Sequence, residues 1–174
     1  YAACGDTVKR LALELGGNAP FIVFDDAHLE DALDGAMGAR FYNSGQICVG
    51  ANRFLIQRNI YQEFAENFAA RVKTLKVGNG FDENTDIGPM INHSALKRLQ
   101  SLVNTALSKG AEVIIGGSQD QNTTLFFQPT VLTEMSPKMD AFHTEIFGPV
   151  ACLYSFENEA EALHLANATS TGLA

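Results

Sequence analysis

Pro20-Phe-Ile-Val-Phe24 is a short apolar run of β-forming residues, and a helical pattern follows it directly. Leu29, Leu33, Ala36, Met37 and Phe41 recur at the 3.6-residue period over roughly 28–43. A second run, Arg53-Phe-Leu-Ile-Gln57, leads into another helical pattern marked by Ile60, Phe64, Phe68, Val72 and Leu75. The runs lack clean polar alternation, as strands buried on both faces do. Strand, helix, strand, helix with buried strands predicts an α/β layer structure: a largely parallel open sheet with flanking helices.

The same reading extends outward. Further strands are expected at Leu11–Leu15, Val113–Ile115, Gln128–Leu132 and Val150–Tyr154, and further helices near 93–109 and 158–168. Asp25, Asp26, Glu30 and Asp31 suit the positive end of the first long helix, and Gly110 is a stop for the helix before it. Gly116-Gly117 and Gly78-Asn79-Gly80 read as turns. No Gly-x-Gly-x-x-Gly follows a strand, so the chain carries no dinucleotide-binding fold of its own. The first residues read as the end of a helix feeding a strand, there is no initiator Met, and Ser170–Ala174 has no cap or tail. The expectation is one domain over 1–174, excised from a longer protein.

With 174 residues, 46% of them hydrophobic, the chain can bury a sizeable core. A net charge of -8 opposes nucleic acid and anionic membrane surfaces as partners, since both are bound through cationic side chains. The apolar runs are far shorter than the roughly 18 residues of a membrane span. Three cysteines at irregular spacing, Cys4, Cys48 and Cys152, fit a reducing, cytoplasmic setting better than a disulfide framework.

Three segments carry chemistry. In Phe41-Tyr-Asn-Ser-Gly-Gln-Ile-Cys-Val-Gly-Ala-Asn-Arg53 a helix ends at Asn43–Gly45, and Cys48 falls in the connection to the next strand. There its sulfur stands near backbone N–H groups able to stabilise a thiolate or an oxyanion. A lone cysteine is more often a small buried hydrophobe, and Cys4 and Cys152 keep that reading. In Leu13-Glu14-Leu15-Gly16-Gly17-Asn18, apolar neighbours would disfavour the ionised Glu14 carboxylate and suit it to act as a general base, while the glycines admit close backbone approach. The alternative is a solvated charge. In Glu145-Ile146-Phe147-Gly148-Pro149 a carboxylate and an aromatic ring could hold a ribose and pack a flat ring, or form only a tight turn before a strand.

Together these segments resemble the aldehyde dehydrogenase superfamily in type, order and spacing: 34 residues separate Glu14 from Cys48, and 97 separate Cys48 from Glu145. Gly88-Pro89, Phe127-Gln128-Pro129-Thr130 and Thr171-Gly172-Leu173 extend the resemblance over essentially the whole chain. It implies the catalytic domain of an enzyme using NAD or NADP, without its nucleotide-binding domain. Cys48 would be the nucleophile and Glu14 the base that hydrolyses the acyl enzyme. Glu145, Phe147, Gly16 and Gly17 would border the cofactor, and the backbone N–H of Cys48 would be one oxyanion donor. The family's second donor, an asparagine, lies upstream of Tyr1. A carboxylate at Glu14 favours a free acid product over transfer to coenzyme A. A small aldehyde is the implied partner, and a homo-oligomer the implied assembly of the full-length protein.

Asn18–Asp26 and Gly80-Phe-Asp-Glu look most similar to the succinate-semialdehyde dehydrogenase branch. Its substrate-gripping arginine, six residues before the nucleophile, is Tyr42 here, and its occasional redox cysteine two residues after is Gly50. Phe41–Gln46 resembles the lactaldehyde and glycolaldehyde branch instead. The rivals are a papain-type cysteine hydrolase, which needs a histidine partner that His28, His93, His143 and His164 do not announce, and a folded non-catalytic module. No metal-ligand spacing is present.

Overall fold

The computed structural model describes residues 2–119 and 125–173. Five strands, β1 (Ala19–Val23), β2 (Ala51–Gln57), β3 (Glu112–Ile115), β4 (Thr130–Thr133) and β5 (Val150–Phe156), form one sheet in the order β1-β2-β5-β4-β3. All neighbours are parallel except the antiparallel edge pair β3–β4. The helices are α1 (Ala2–Gly5), α2 (Leu29–Phe41), α3 (Arg58–Val72), α4 (His93–Ser108), α5 (Asp140–His143) and α6 (Glu159–Ala166).

The strands feed two cores because successive side chains point to opposite faces. Phe54, Ile56, Ala151, Leu153 and Val131 join Leu33, Phe41, Phe64, Phe68 and Val72 of α2 and α3 on one side. Leu55, Cys152, Tyr154, Phe156 and Leu132 join Leu96, Leu99, Val103, Phe142 and Leu165 of α4, α5 and α6 on the other. Burial on both faces is why the strands read as continuous apolar runs. Gly110, with φ +98, lies just past α4 as expected, and the side chain of Asn92 caps its start by accepting from the Ala95 N–H at 2.8 Å. Gly116 and Gly117 turn with φ +79 and +91.

Leu11–Leu15 is not a strand. The segment has no regular structure, and Leu11, Leu13 and Leu15 are 37%, 49% and 62% exposed. The run holds no β-branched residue and finds no partner for a ladder, so its apolar alternation is not converted into pairing. The helix expected at the chain start is the four-residue α1, and a turn rather than a strand follows it. Cys152 is fully buried, whereas Cys4 is only half-buried rather than a core residue.

Candidate functional site

The three chemical segments each run into the N-terminal end of a strand. Glu14–Asn18 precedes β1, Gln46–Gly50 precedes β2, and Glu145–Pro149 precedes β5. Since these strands are adjacent and parallel in the order β1-β2-β5, their beginnings lie along one edge with the Cys48 loop in the middle. Glu14, Gly16, Cys48, Glu145 and Phe147 accordingly line one open cleft of about 560 Å³, together with Leu15, Gln46, Ile47 and Val49. A larger apolar hollow of about 730 Å³ between Val77–Phe81, Pro89 and Phe126 holds no titratable or nucleophilic side chain.

Cys48 is half-buried in a turn closed by the Gly50 N–H donating to the Ile47 carbonyl at 3.3 Å. Its own N–H has no hydrogen-bond partner among the described residues. The turn is held from several sides. Arg40, buried on α2, donates Nη1 to the Ala51 carbonyl (2.8 Å) and Nη2 to the Gly45 carbonyl (2.6 Å), so it grips the backbone on both sides of Cys48. Burial holds the Arg40 guanidinium down at about 10, against the pull of Cys152 and Glu145. Asn43, Ser44 and Gly45 all adopt left-handed φ (49°, 56° and 71°) within the 3₁₀ turn Tyr42–Gly45. Such a run is sterically unfavourable for the two non-glycine residues and needs support from its surroundings. Segment 88–91 supplies it: Ser44 Oγ donates to the Gly88 carbonyl and accepts from the Gly88 N–H, and Gln46 bonds the Pro89 carbonyl and the Ile91 N–H.

Glu145 Oε1 accepts the Gly17 N–H at 3.2 Å, and Oε2 lies 2.8 Å from where a β-carbon on Gly16 would stand. Arg98 of α4 donates to the carbonyls of Glu145 (2.8 Å) and Ile146 (2.9 Å), fixing a loop in which Phe147 has φ 49°. Gly16 borders the cleft, but Gly17 does not. Gly17 is buried against the Cys48 carbonyl, so the space left by its missing side chain is filled by the Cys48 turn rather than left open to a ligand.

Glu14 is exposed on the cleft wall beside exposed Leu13 and Leu15. The apolar surroundings expected from its neighbours in sequence do not form, because those leucines stay outside the core. Tyr42, 73% exposed, stands outside the residues lining the cleft. No histidine lines the cleft, and His143 Nε2 instead meets the Pro137 carbonyl at 3.0 Å. Among the described residues no group of three or more His, Cys, Asp or Glu could hold a metal ion. No helix there is long and apolar enough to cross a membrane.

Sequence reasoning passed over Arg40, Asn18, Asn52, Arg53 and Arg98, which hold these loops. The available signal was a charge in a buried pattern: Arg40 falls on the apolar face of α2, and Arg53 begins an apolar strand.

The fold and cleft thus define a parallel α/β domain whose strand beginnings gather a thiol, two carboxylates and an aromatic ring. The chain belongs to the aldehyde dehydrogenase family, whose model matches residues 1–174. It is 50% identical over 171 residues to a probable NADP(+) succinate-semialdehyde dehydrogenase of Sinorhizobium fredii, covering 98% of this chain and 35% of that protein. It is 49% identical over 171 residues to a 3-sulfolactaldehyde dehydrogenase of Pseudomonas putida, covering 98% of this chain and 35% of that one. The crystal structure of succinate-semialdehyde dehydrogenase from Burkholderia pseudomallei superposes with a TM-score of 0.92 at 48% identity, over 97% of this chain and 35% of that chain. The chain therefore spans about a third of the length of the curated relatives it matches.

Proposed function

We propose that the protein containing this chain oxidises an aldehyde to a carboxylic acid with NAD or NADP, and that residues 1–174 form its catalytic domain. The observation that carries this reading is the single cleft shared by Cys48, Glu14, Glu145 and Phe147. Half-buried Cys48 presents its sulfur there as the nucleophile. The thiolate adds to the aldehyde carbon, forming a C–S bond and a thiohemiacetal whose oxyanion is received by the free Cys48 N–H. Loss of hydride from that carbon leaves a thioester on Cys48. Glu14 then takes a proton from water, the hydroxide adds to the thioester carbon, and the C–S bond breaks to release the acid and restore the thiolate.

The residues present fit the nicotinamide riboside end of a dinucleotide. Glu145 is held at its backbone by Arg98 and at Oε1 by Gly17, which leaves carboxylate lone pairs for ribose hydroxyls. Phe147 offers a wall for a flat ring, and Gly16 leaves the approach to Glu145 clear. The bound cofactor supplies the hydride acceptor. Its pyrophosphate and adenosine would need binding groups beyond those that line this cleft.

The substrate class we assign is a small neutral or hydroxylated aldehyde, accepted at least as well as a semialdehyde of the kind named for the relatives. Among the described residues no Lys or Arg lines the cleft, so the cleft itself offers no cationic anchor for a distal carboxylate. The test is aldehyde oxidation by the full-length protein with either dinucleotide, alongside Cys48→Ala. The expected result is turnover that Cys48→Ala abolishes; substantial turnover in a folded Cys48→Ala variant would overturn the nucleophile assignment.

A further inference from the structure

The parallel register of β1 and β2 slips by one residue: Ala19 pairs with Ala51, but Pro20 pairs with Arg53. Asn52 is the extra residue of this β-bulge. Pro20 has no N–H to give to a ladder, which makes the irregularity tolerable at this point. A bulge re-aims a side chain, and here it turns Asn52 toward the loop before β5. The side chain is 1% exposed and fully engaged. Oδ1 accepts the Ile146 N–H at 2.8 Å, while Nδ2 donates to the Thr144 carbonyl at 3.0 Å and to Asn18 Oδ1 at 2.8 Å. Asn52 therefore grips the backbone on both sides of Glu145. Through Asn18 it also ties that loop to the segment carrying Gly17, whose N–H meets Glu145 Oε1.

We propose that Asn52 is a positioning residue for the Glu145–Phe147 loop, setting the Glu145 carboxylate and the Phe147 ring for the dinucleotide; this rests on the cofactor role assigned to Glu145 above. The chemistry selects asparagine. The site needs one acceptor and two donors on the same short side chain, which aspartate cannot supply because an ionised carboxylate only accepts. Asn52→Asp would set a carboxylate against the Thr144 carbonyl and Asn18 Oδ1, leaving the Glu145 loop free to move.

The experiment measures three quantities on the full-length protein for Asn52→Asp, Asn52→Ser and Glu145→Gln. These are the calorimetric dissociation constant for the dinucleotide, the KM for aldehyde against that for dinucleotide, and the rate at which iodoacetamide alkylates Cys48 without dinucleotide. We expect Asn52→Asp to weaken dinucleotide binding at least about tenfold, the scale of losing a buried hydrogen-bond set. Its KM should rise for dinucleotide and not for aldehyde, and Cys48 should alkylate at the wild-type rate. If Asn52→Asp does not accumulate as folded protein, Asn52→Ser carries the same criteria. Unchanged dinucleotide binding in a folded variant overturns the proposal, and so does an alkylation rate that departs from wild type in either direction, the mark of general loosening. Glu145→Gln separates the two readings. If it too leaves binding unchanged, the cofactor role of Glu145 fails; if it alone weakens binding, only the role of Asn52 fails.

Discussion

The carbonyl oxygen of Cys48 rests against the bare face of Gly17, where a β-carbon would stand 2.2 Å away. That distance is far inside van der Waals contact, and the clash is with backbone rather than with a flexible side chain. Gly17→Ala must therefore displace the Cys48 turn. We expect a loss of about 1–3 kcal/mol of stability, the usual cost of overpacking, and a sharp fall in the rate of Cys48 alkylation. Thermal melts and iodoacetamide kinetics on the full-length protein check both. A stable variant with wild-type thiol reactivity would contradict the packing.

Glu14→Gln keeps the shape of the side chain but removes the base proposed for acyl-enzyme hydrolysis. Thioester formation should proceed and its hydrolysis stall. A pre-steady-state burst of reduced dinucleotide, followed by a steady rate lowered by about 10²- to 10⁴-fold, is expected from the loss of general-base catalysis. A steady rate equal to wild type would assign the base elsewhere.

Much of this arrangement was legible in the residues. Arg53–Gln57 and Val150–Tyr154 announce strands because both faces of the sheet are covered, and the spacing of Leu33, Ala36 and Phe41 announces α2; the second strand runs two residues further, to Phe156. The failure at Leu11–Leu15 is equally physical: apolar residues are necessary for a buried strand, but only a neighbouring ladder makes one. The meeting of Glu14, Cys48 and Glu145 follows from β5 inserting beside β2, a pairing across nearly a hundred residues that no local pattern encodes. Asn52 was invisible for the same reason, since its role depends on a register slip between two strands.

Arg40→Met should preserve much of the side-chain volume while orphaning the Gly45 and Ala51 carbonyls. Each buried, unsatisfied group costs about 1–3 kcal/mol, so stability should fall and the Cys48 turn should lose its grip on both sides. Arg40→Lys, able to reach one carbonyl, should recover part of both. The readouts are the denaturation midpoint and Cys48 alkylation. Equal values for Met and Lys would show that Arg40 acts through packing alone.

Burial pushes the Cys152 thiol up to about 12 from its ordinary 9. Between those values the folded chain keeps a proton that the unfolded chain has released. The stabilisation is therefore complete below pH 9 and is lost as the pH rises toward 12. The free energy of unfolding should decline from pH 9 to 10 with a slope approaching about 1.4 kcal/mol per pH unit. The decline should flatten in Cys152→Ala. At pH 9 iodoacetamide should label Cys48 in the native protein and spare Cys152 until unfolding; early labelling of Cys152 would refute its burial.

Tyr42 tests the substrate class. Tyr42 has a neutral hydroxyl and an aromatic face to offer, where pairing with a distal carboxylate calls for a cationic side chain. Its side chain is 73% exposed, so it is free to meet a substrate or another part of the full-length protein. A hydrogen bond to a charged group contributes about 1.5–3 kcal/mol, so Tyr42→Arg should add about 10- to 150-fold in affinity for a carboxylated aldehyde unless an arginine elsewhere in the full-length protein already holds it. The enzyme should therefore accept small neutral or hydroxylated aldehydes at least as well as succinic semialdehyde. Tyr42→Arg should raise kcat/KM for succinic semialdehyde and leave that for lactaldehyde or glycolaldehyde unchanged or lower. The comparison needs both substrates with both proteins, since only the ratio isolates the carboxylate. A strong native preference for succinic semialdehyde that Tyr42→Arg does not increase would place the carboxylate anchor on another part of the full-length protein.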